Sequence, residues 1–277
     1  MYRLTFCLIL LPVFTLYAQR PESAPVMFWN HYTFFNPAAS GMFYKHAATA
    51  TVQAFFTSGY ESPQSGWAGY DVKDNNLHGG MGVNYSIQKQ RGQTIQKARL
   101  NYSYHVEKME KDVLGIGISP GVDYITKNGS LEGMNPIQIY EVGTKLNIDA
   151  GIFYKKDRFH FAMSVTNILT KTTGARNFWI TTGYLLDLGK GFELHPQALF
   201  RSDIGTLTWD INVLGTYLKR YWAGISYNTR SMNVKFGLPR LMGGWNIKEK
   251  FRVGYSYGPP VNSLYASHEV VVGVMLR

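Results

Sequence analysis

The chain has 277 residues, of which 45% are hydrophobic, 15% aromatic and 17% charged, and its formal net charge is +10 at pH 7. The charged fraction lies below the roughly 25% that is usual in soluble domains. High contents of Tyr and Gly, here 19 and 28 residues, are typical of strands that cross a membrane. Lys and Arg are scattered along the chain and often follow apolar segments, which favours contact with an anionic membrane surface and argues against nucleic acid.

Residues 1–18 have the features of a cleavable signal peptide. Arg3 precedes an apolar run at 4–17, and Ala18 offers a small residue at the cleavage point. The run is too short for a membrane-spanning helix. Cys7, the only cysteine, lies within it, so the mature chain is expected to contain no disulfide, catalytic cysteine or cysteine-based metal site.

Residues 19–45 show no regular alternation of polar and apolar side chains. They contain the stretch 35–41, FNPAASG, in which Pro37 fixes φ and Gly41 permits a positive φ, so a tight turn is expected there. We predict that 19–45 is an N-terminal periplasmic segment with an Asn-Pro turn, followed by a barrel at 46–277.

The segment 97–106, KARLNYSYHV, alternates strictly between polar and apolar residues, and this period of two predicts a strand with one wet and one apolar face. Its length matches the roughly 9–11 residues that a tilted strand needs to cross a bilayer. Similar patterns occur at 47–56, 67–72, 77–88, 114–124, 146–154, 158–167, 178–188, 194–201, 208–217, 222–227, 232–238, 251–257 and 268–276. The region 127–145 lacks a pattern and is predicted to be a long extracellular loop.

About fourteen amphipathic strands with no period of 3.6 residues predict an all-β fold, a transmembrane antiparallel up-and-down β-barrel. A soluble β-sandwich is the alternative. It would need a second sheet to cover every apolar face, and it would leave the low charge and the many tyrosines unexplained.

The polar faces of these strands supply candidate lumen residues. They are Lys97, Arg99, Asn101, His105, Asp149, Arg201 and Asp210, with Asp123, Asn147 and Asn212 on the same faces. They could line a transport path, or they could pair with one another, since any barrel lumen is polar. The small residues Gly115, Gly117 and Gly121 would leave room in the lumen or let another segment pack closely. Trp67, Trp179, Trp222 and Trp245 are expected to form interface belts rather than a sugar-binding stack.

The sequence offers no catalytic, cofactor-binding or metal-ligating set. The His residues have no His-x-x-x-His spacing. Residues 117–121, GISPG, match the letters Gly-x-Ser-x-Gly, but they lie within a predicted strand and not at the strand-to-helix turn that a nucleophile elbow requires. His268 and Glu269 are adjacent on a strand and therefore point to opposite faces, so they are expected to be a polar pair near the membrane interface. A barrel-embedded hydrolase would need a His, an acid and a nucleophile that converge near a rim, and no such set can be named.

Several segments together resemble the PorP/SprF family of type IX secretion system outer-membrane proteins from the Bacteroidota. The turn formed by Asn36, Pro37, Ala38 and Gly41 is similar to a family motif, and Gln53 and Pro63 lie where the family has a Gln-containing strand and a Gly/Pro loop. Thr51 to Phe55 replaces the family's usual Arg-x-Gln-Trp. The segments 79–93, 147–155, 161–169 and 267–276 are also similar, and they occur in the family's order.

The resemblance implies a non-enzymatic barrel in the outer membrane of a secreting or gliding bacterium. Its expected partners are outer-membrane lipid and either type IX secretion subunits or a large secreted surface adhesin, with no cofactor, nucleic acid or small-molecule substrate. The alternative function is a general or substrate-selective outer-membrane porin, which a wide and charged lumen would favour.

Overall fold

A computed structural model describes residues 24–56, 63–90, 93–109, 112–127, 142–170, 176–202, 207–228, 239–260 and 266–276. The predicted signal peptide at 1–18 lies outside the described residues. Most of the predicted loop at 127–145 and the whole of the predicted strand at 232–238 also lie outside the described residues.

The described residues contain fifteen strands that follow one another along the chain. Their bounds are β1 (His46–Phe56), β2 (Gln64–Asp74), β3 (Gly79–Gln90), β4 (Gln93–Met109), β5 (Asp112–Lys127), β6 (Gly143–Lys156), β7 (Phe159–Thr166), β8 (Asn177–Tyr184), β9 (Leu186–Gly189), β10 (Phe192–Ser202), β11 (Leu207–Tyr217), β12 (Tyr221–Asn228), β13 (Arg240–Ile247), β14 (Phe251–Gly258) and β15 (Ala266–Leu276).

The strands close into one antiparallel barrel. Neighbours in sequence pair with each other, and β1 pairs with β15 from His46 opposite Leu276 to Phe56 opposite Ala266. Strands β8 and β9 both pair with β10 and are two parts of one interrupted strand position. The barrel therefore has fourteen strand positions, and the predicted fold is confirmed.

Side chains alternate between the two faces of the wall as the sequence predicts. On β4, Leu100 is 63% exposed on the outer face whereas its neighbour Asn101 is 4% exposed on the inner face. The outer face is apolar and the inner face is polar, which is the reverse of a soluble protein and suits a wall surrounded by lipid. None of the helices among the described residues is long and apolar enough to cross a membrane.

The two ends of the barrel differ in the length of their connections. At one end, here called the turn end, strands are joined by the short segments 75–78, 110–111, 157–158, 190–191, 218–220 and 248–250. Positive φ angles at His78, Asp157, Lys190, Lys219 and Lys248 show tight reversals in the five of these segments that the structure describes. At the opposite end, called the loop end, several connections are longer, including 128–142 and 229–239.

The segment before β1 lies inside the barrel. Three short helical turns, Phe28–Asn30, Tyr32–Phe35 and Pro37–Ala39, follow one another within residues 24–43, which we call the plug. The last turn begins at a favourable site, because Asn36 Oδ1 accepts a hydrogen bond from Ala38 N and Pro37 occupies the first helical position. The described part of the predicted N-terminal segment at 19–45 packs against the inner face of the barrel wall.

One sequence-based expectation is wrong, and one strand lies where the sequence predicts none. Trp67, Trp179 and Trp222 are at most 7% exposed and point inward, and only Trp245 lies on the outer face. Their strands place them on the same side as the polar residues, and Trp179 and Trp222 pack against apolar residues of the plug. Strand β13 was not recognised, because its centre, Leu-Met-Gly-Gly, shows no polar-apolar alternation.

Candidate functional site

The candidate site is the interface between the plug and the barrel wall. The plug reaches all fourteen strand positions. The wall residues that contact it or share an apolar cluster with it are Thr51, Asp71, Asn84, Ser103, Gly117, Phe153, Ser164, Trp179, Gln197, Asn212, Trp222, Met242, Arg252 and Glu269. The segment therefore spans the cross-section of the lumen rather than lying along one side of it.

Apolar packing provides much of this interface. One buried cluster joins Phe28, Phe35 and Met42 of the plug to Phe153 and Leu199 of the wall. A second cluster, on the strands that follow β10 around the barrel, joins Val26 and Met27 of the plug to wall residues Leu214, Trp222, Met242 and Val271. Removing such side chains from water is favourable by about 1.5–3 kcal/mol each, so the plug is the hydrophobic core of the molecule.

The Asn-Pro turn packs against a part of the wall where glycines face the lumen. Asn36 Nδ2 donates to the main-chain oxygens of Ile152 at 2.8 Å and Met163 at 3.1 Å. A Cβ atom on Gly117 would overlap the backbone of Pro37 and Ala38, and one on Gly151 would overlap the Asn36 side chain. These glycines allow the plug backbone to touch the wall, which was one of the two roles expected for small inward residues.

Replacing Asn36 with alanine is expected to loosen the plug. The variant leaves two strand carbonyls without their donor and removes the cap at Ala38, which costs about 1–3 kcal/mol for unsatisfied buried groups. We expect hydrogen exchange of the plug amides to become about tenfold faster. The control is Asn76→Ala in the exposed turn 75–78, which should leave exchange in the plug unchanged; equal effects of both variants would contradict the assignment.

Glu269 anchors the beginning of the described plug. Its Oε2 accepts from Val26 N at 2.6 Å and its Oε1 from Met27 N at 2.8 Å, while Gln53 Nε2 donates to Oε2 at 3.1 Å. Glu269 is 1% exposed, whereas His268 lies outside against the Tyr255 and Tyr257 rings. The two side chains do point to opposite faces, but the carboxylate is a lumen anchor and not part of an interfacial pair.

His31 and Tyr32 form the polar centre of the plug. The His31 ring shares hydrogen bonds with Thr51 Oγ1 at 2.6 Å and Thr49 Oγ1 at 3.2 Å, both from β1. Burial lowers the pKa of His31 from 6.5 to about 3, so the docked ring is neutral. Burial, with a smaller contribution from Tyr44, raises the pKa of Tyr32, and the phenol stays protonated and donates to Gln197 Oε1 at 3.0 Å.

Acid is expected to weaken plug docking through His31. Burial lowers the pKa of His31 from 6.5 to about 3. Between these values the docked state binds fewer protons than the undocked state. The free energy of docking therefore becomes progressively less favourable as the pH falls below 6.5. At pH 4.5 the penalty is about 3 kcal/mol, or about 100-fold in the docking equilibrium.

His31→Gln keeps hydrogen-bonding capacity but does not titrate, so it isolates this contribution. We expect plug amides of the wild type to lose protection relative to His31→Gln as the pH is lowered from 8 to 4.5. Comparing both proteins at each pH cancels the intrinsic pH dependence of exchange. Parallel curves for the two proteins would show that His31 is not the acid-sensitive group.

The predicted lumen residues lie on the inner face, and Arg99 is the centre of the group. Its guanidinium is 2.7 Å from Asp123, 2.9 Å from Asp149 and 3.2 Å from Asn167. The other members form separate hydrogen bonds. Lys97 donates to Asn167 Oδ1 at 3.3 Å, Asn101 Oδ1 accepts from Ser119 Oγ at 2.6 Å, and His105 Nε2 is hydrogen-bonded to Ser40 O at 3.1 Å. Arg201 donates to Thr208 Oγ1 at 3.0 Å, and Asp210 is half-buried on β11.

The residues of the predicted Asn-Pro motif are divided between plug and wall. Asn36, Pro37, Ala38 and Gly41 all lie in the plug, where Gly41 has φ 68° and donates from its N–H to Asp71 Oδ2 at 3.0 Å. Gln53 contacts the Glu269 anchor, and Pro63 O accepts from Phe55 N at 3.1 Å beside the first loop-end connection. The sequence analysis does not identify Glu269, His31 and Tyr32 as site residues. The stretch 28–35, FWNHYTFF, mixes aromatic and polar residues without alternation, and this pattern could have indicated a segment packed against other parts of the chain.

The chemistry of this interface is that of peptide binding. Within the described ranges, no three His, Cys, Asp or Glu side chains are placed to hold a metal ion. The centroids of the His160 and His195 rings are 5.9 Å apart, and His160 also packs against Tyr32. Wall hydroxyls, an amide side chain and the carboxylates of Glu269 and Asp71 form hydrogen bonds with main-chain groups of the plug, which belongs to the same chain.

Solved structures of outer-membrane barrels resemble this chain in fold. The outer membrane protein Omp33 of Acinetobacter baumannii aligns with a TM-score of 0.52 and 10% identity over 86% of this chain and 100% of its own. A deletion mutant of the monoaromatic hydrocarbon channel TodX gives 0.48 and 8% over 86% and 91%, and the KdgM porin gives 0.41 and 8% over 83% and 99%. No curated protein sequence matches the chain.

A family-level comparison gives the identity. The profile described as type IX secretion system membrane protein PorP/SprF matches residues 18–274. The match covers the plug, the first fourteen strands and all but the last two residues of β15. It agrees with the barrel fold, which places the protein in the outer membrane. The chain belongs to the PorP/SprF family of type IX secretion system membrane proteins.

Proposed function

We propose that the protein acts by binding: the barrel anchors it in the outer membrane, and its rim and loops hold secretion subunits or a large surface adhesin that the machinery exports. It does not act as an enzyme. The family supplies the link to type IX secretion. The choice of binding over conduction rests on the occupied lumen.

The occupied lumen is the observation that carries this proposal. A porin needs a water-filled path, and such barrels carry a polar open interior. Here Phe28, Phe35 and Phe153 are buried at the centre, and Glu269 and Asn36 fix the plug to opposite parts of the wall. Since the interior is used for internal packing, surfaces that can recognise partners are left at the two ends.

The two ends suit different partners. Outer-membrane barrels have short periplasmic turns and longer extracellular loops. By this rule the turn end faces the periplasm, where secretion subunits would be met, and the loop end faces outside, where an adhesin would be held. The connections 128–142 and 229–239 are the longest at that end and are the first candidates for adhesin contact.

The test is recovery of partners from the native membrane. The tagged protein is isolated from detergent-solubilised outer membranes, and bound proteins are identified by mass spectrometry. Recovery of secretion subunits or one large adhesin supports the proposal and names the partner. A barrel that is isolated alone after mild cross-linking argues for the porin alternative, which conductance measurements then examine.

Loop replacement locates the contact. Residues 128–141 are replaced by a short Gly-Ser linker, and a matched variant carries the same replacement at 229–238. Heat-modifiable migration on gels reports whether each barrel is folded. Loss of the partner in one folded variant only assigns the contact to that connection, whereas full retention in both variants directs the search to the turn end.

A further inference from the structure

The turn end carries an uneven distribution of charge. On one half of its rim, cations are matched by carboxylates: Lys73 with Glu107 at 2.9 Å, Lys156 with Asp112 at 3.3 Å, and Arg158 with Asp187 at 3.5 Å. The other half consists of the turns between β9 and β10, β11 and β12, and β13 and β14. Its exposed cations, here called the cationic arc, are Lys190, Lys219, Arg220, Lys248 and Lys250.

The cations of the arc are not neutralised by neighbouring carboxylates. Over the part of the chain that the structure describes, no carboxylate lies within 4 Å of any of its five cationic groups. The carboxylates nearest in sequence are Glu193 on β10 and Glu249 in the turn of β13 and β14. Strand order brings these three turns side by side at one end of the barrel, so the field of the five cations is shared.

A belt of outward-facing rings lies directly beside the arc. It consists of Phe192, Tyr217, Tyr221, Trp245 and Phe251, each between 41% and 54% exposed on the outer wall. Two pairs are in contact: the centroids of Phe192 and Tyr217 are 4.4 Å apart, and those of Tyr221 and Trp245 are 6.0 Å apart. Such rings are enriched at the level where acyl chains meet headgroups.

The belt fixes the depth of the cations. Lys190 is two residues beyond Phe192, Lys219 is two beyond Tyr217, and Lys250 adjoins Phe251. If the rings lie at the headgroup boundary, cations one or two residues further along the turns lie at the level of the phosphates. Leu218, 49% exposed at a turn position with φ 50°, adds an apolar contact at the same level.

We propose that the cationic arc binds the anionic phospholipid headgroups of the periplasmic leaflet, such as phosphatidylglycerol or cardiolipin. Lys and Arg beside a membrane surface attract anionic lipids. Because the belt of lipid-facing rings adjoins the arc, we favour a lipid as the ligand over a soluble acidic protein. Bound headgroups would orient the barrel and leave the self-paired half of the rim available to protein partners.

The test compares lipid retention by matched variants. The arc variant carries Lys190→Gln, Lys219→Gln, Arg220→Gln, Lys248→Gln and Lys250→Gln. The control carries Lys73→Gln, Lys156→Gln and Arg158→Gln on the self-paired half. Each purified barrel is titrated in mixed micelles with cardiolipin, phosphatidylglycerol, phosphatidylethanolamine or lipid A, and bound lipids are counted by native mass spectrometry, with heat-modifiable migration as the folding check.

We expect the wild type and the control to prefer cardiolipin and phosphatidylglycerol over phosphatidylethanolamine, and the arc variant to bind these lipids at least about tenfold more weakly, with a smaller salt dependence. Equal binding by the arc variant and the wild type would overturn the proposal. Equal weakening in both variants would show a general charge effect and would also overturn it. A preference for lipid A over the phospholipids would place the arc at the other leaflet and would also overturn the proposal.

Discussion

Deletion of residues 24–42 is expected to convert a closed barrel into an ion-conducting one. The deleted residues contribute most of the first buried cluster, Val26 and Met27 of the second, and the contacts to all fourteen strand positions. The wall that remains has a polar inner face with Arg99, Asn212 and Glu269, and water enters such an interior readily. In planar bilayers the wild type should be silent, and the deletion should give stable single-channel currents.

The controls for this deletion address folding and specificity. Heat-modifiable migration establishes that the variant still forms a barrel, because the wall is closed by strand pairing from β1 to β15. A synthetic peptide with the sequence 24–42 should reduce the current when it is added to the compartment facing the turn end. A folded deletion variant that stays silent would contradict the assignment of the plug as the barrier, and currents of equal size in the wild type would favour the porin function.

The second large effect is expected from Gly117→Ala. A Cβ atom at this position would overlap the main chain of Pro37 and Ala38, and neither partner is the flexible end of a side chain. Overpacking of this kind costs about 1–3 kcal/mol. The cost falls on the docked plug, because the strand itself accepts alanine, so the undocked fraction should rise about 5- to 150-fold.

A matched substitution separates docking from strand stability. Gly215→Ala changes a glycine on β11 where the nearest atom to a new Cβ, the oxygen of Ala223, is 3.8 Å away. Hydrogen exchange of the plug amides and brief channel openings should increase in Gly117→Ala and not in Gly215→Ala. If exchange in the plug is unaffected by Gly117→Ala while the barrel remains folded, the close packing at this glycine does not hold the plug in place.

The wall of the barrel could be predicted from the sequence because each strand carries its own signal. In 97–106, alternation alone identifies the inner and outer faces, and Leu100 and Asn101 lie where it places them. Strand β13 shows the limit: Leu241, Met242, Gly243 and Gly244 present no alternation, and only pairing with β12 and β14 identifies them as a strand.

The plug could not be predicted in the same way, because its position depends on contacts between distant residues. The stretch 24–43 has no regular period, and nothing local shows that Trp179 and Trp222 require apolar partners inside the lumen. The inward glycines were the useful signal, since small residues on a polar face allow close backbone approach. They left open whether the space is empty, and the hydrogen bonds of Asn36 show that at this position it is filled.

The anchoring of Val26 and Met27 by Glu269 has a consequence for biogenesis. The two ends of this contact are separated by 242 and 243 residues, so the first part of the plug to be synthesised receives its partner from the last strand. Contacts of such high sequence separation form late, because a long loop must close first. Docking of the plug is therefore coupled to the pairing of β1 with β15. Before these two strands pair, Val26 and Met27 lack the Glu269 carboxylate that binds them in the closed barrel.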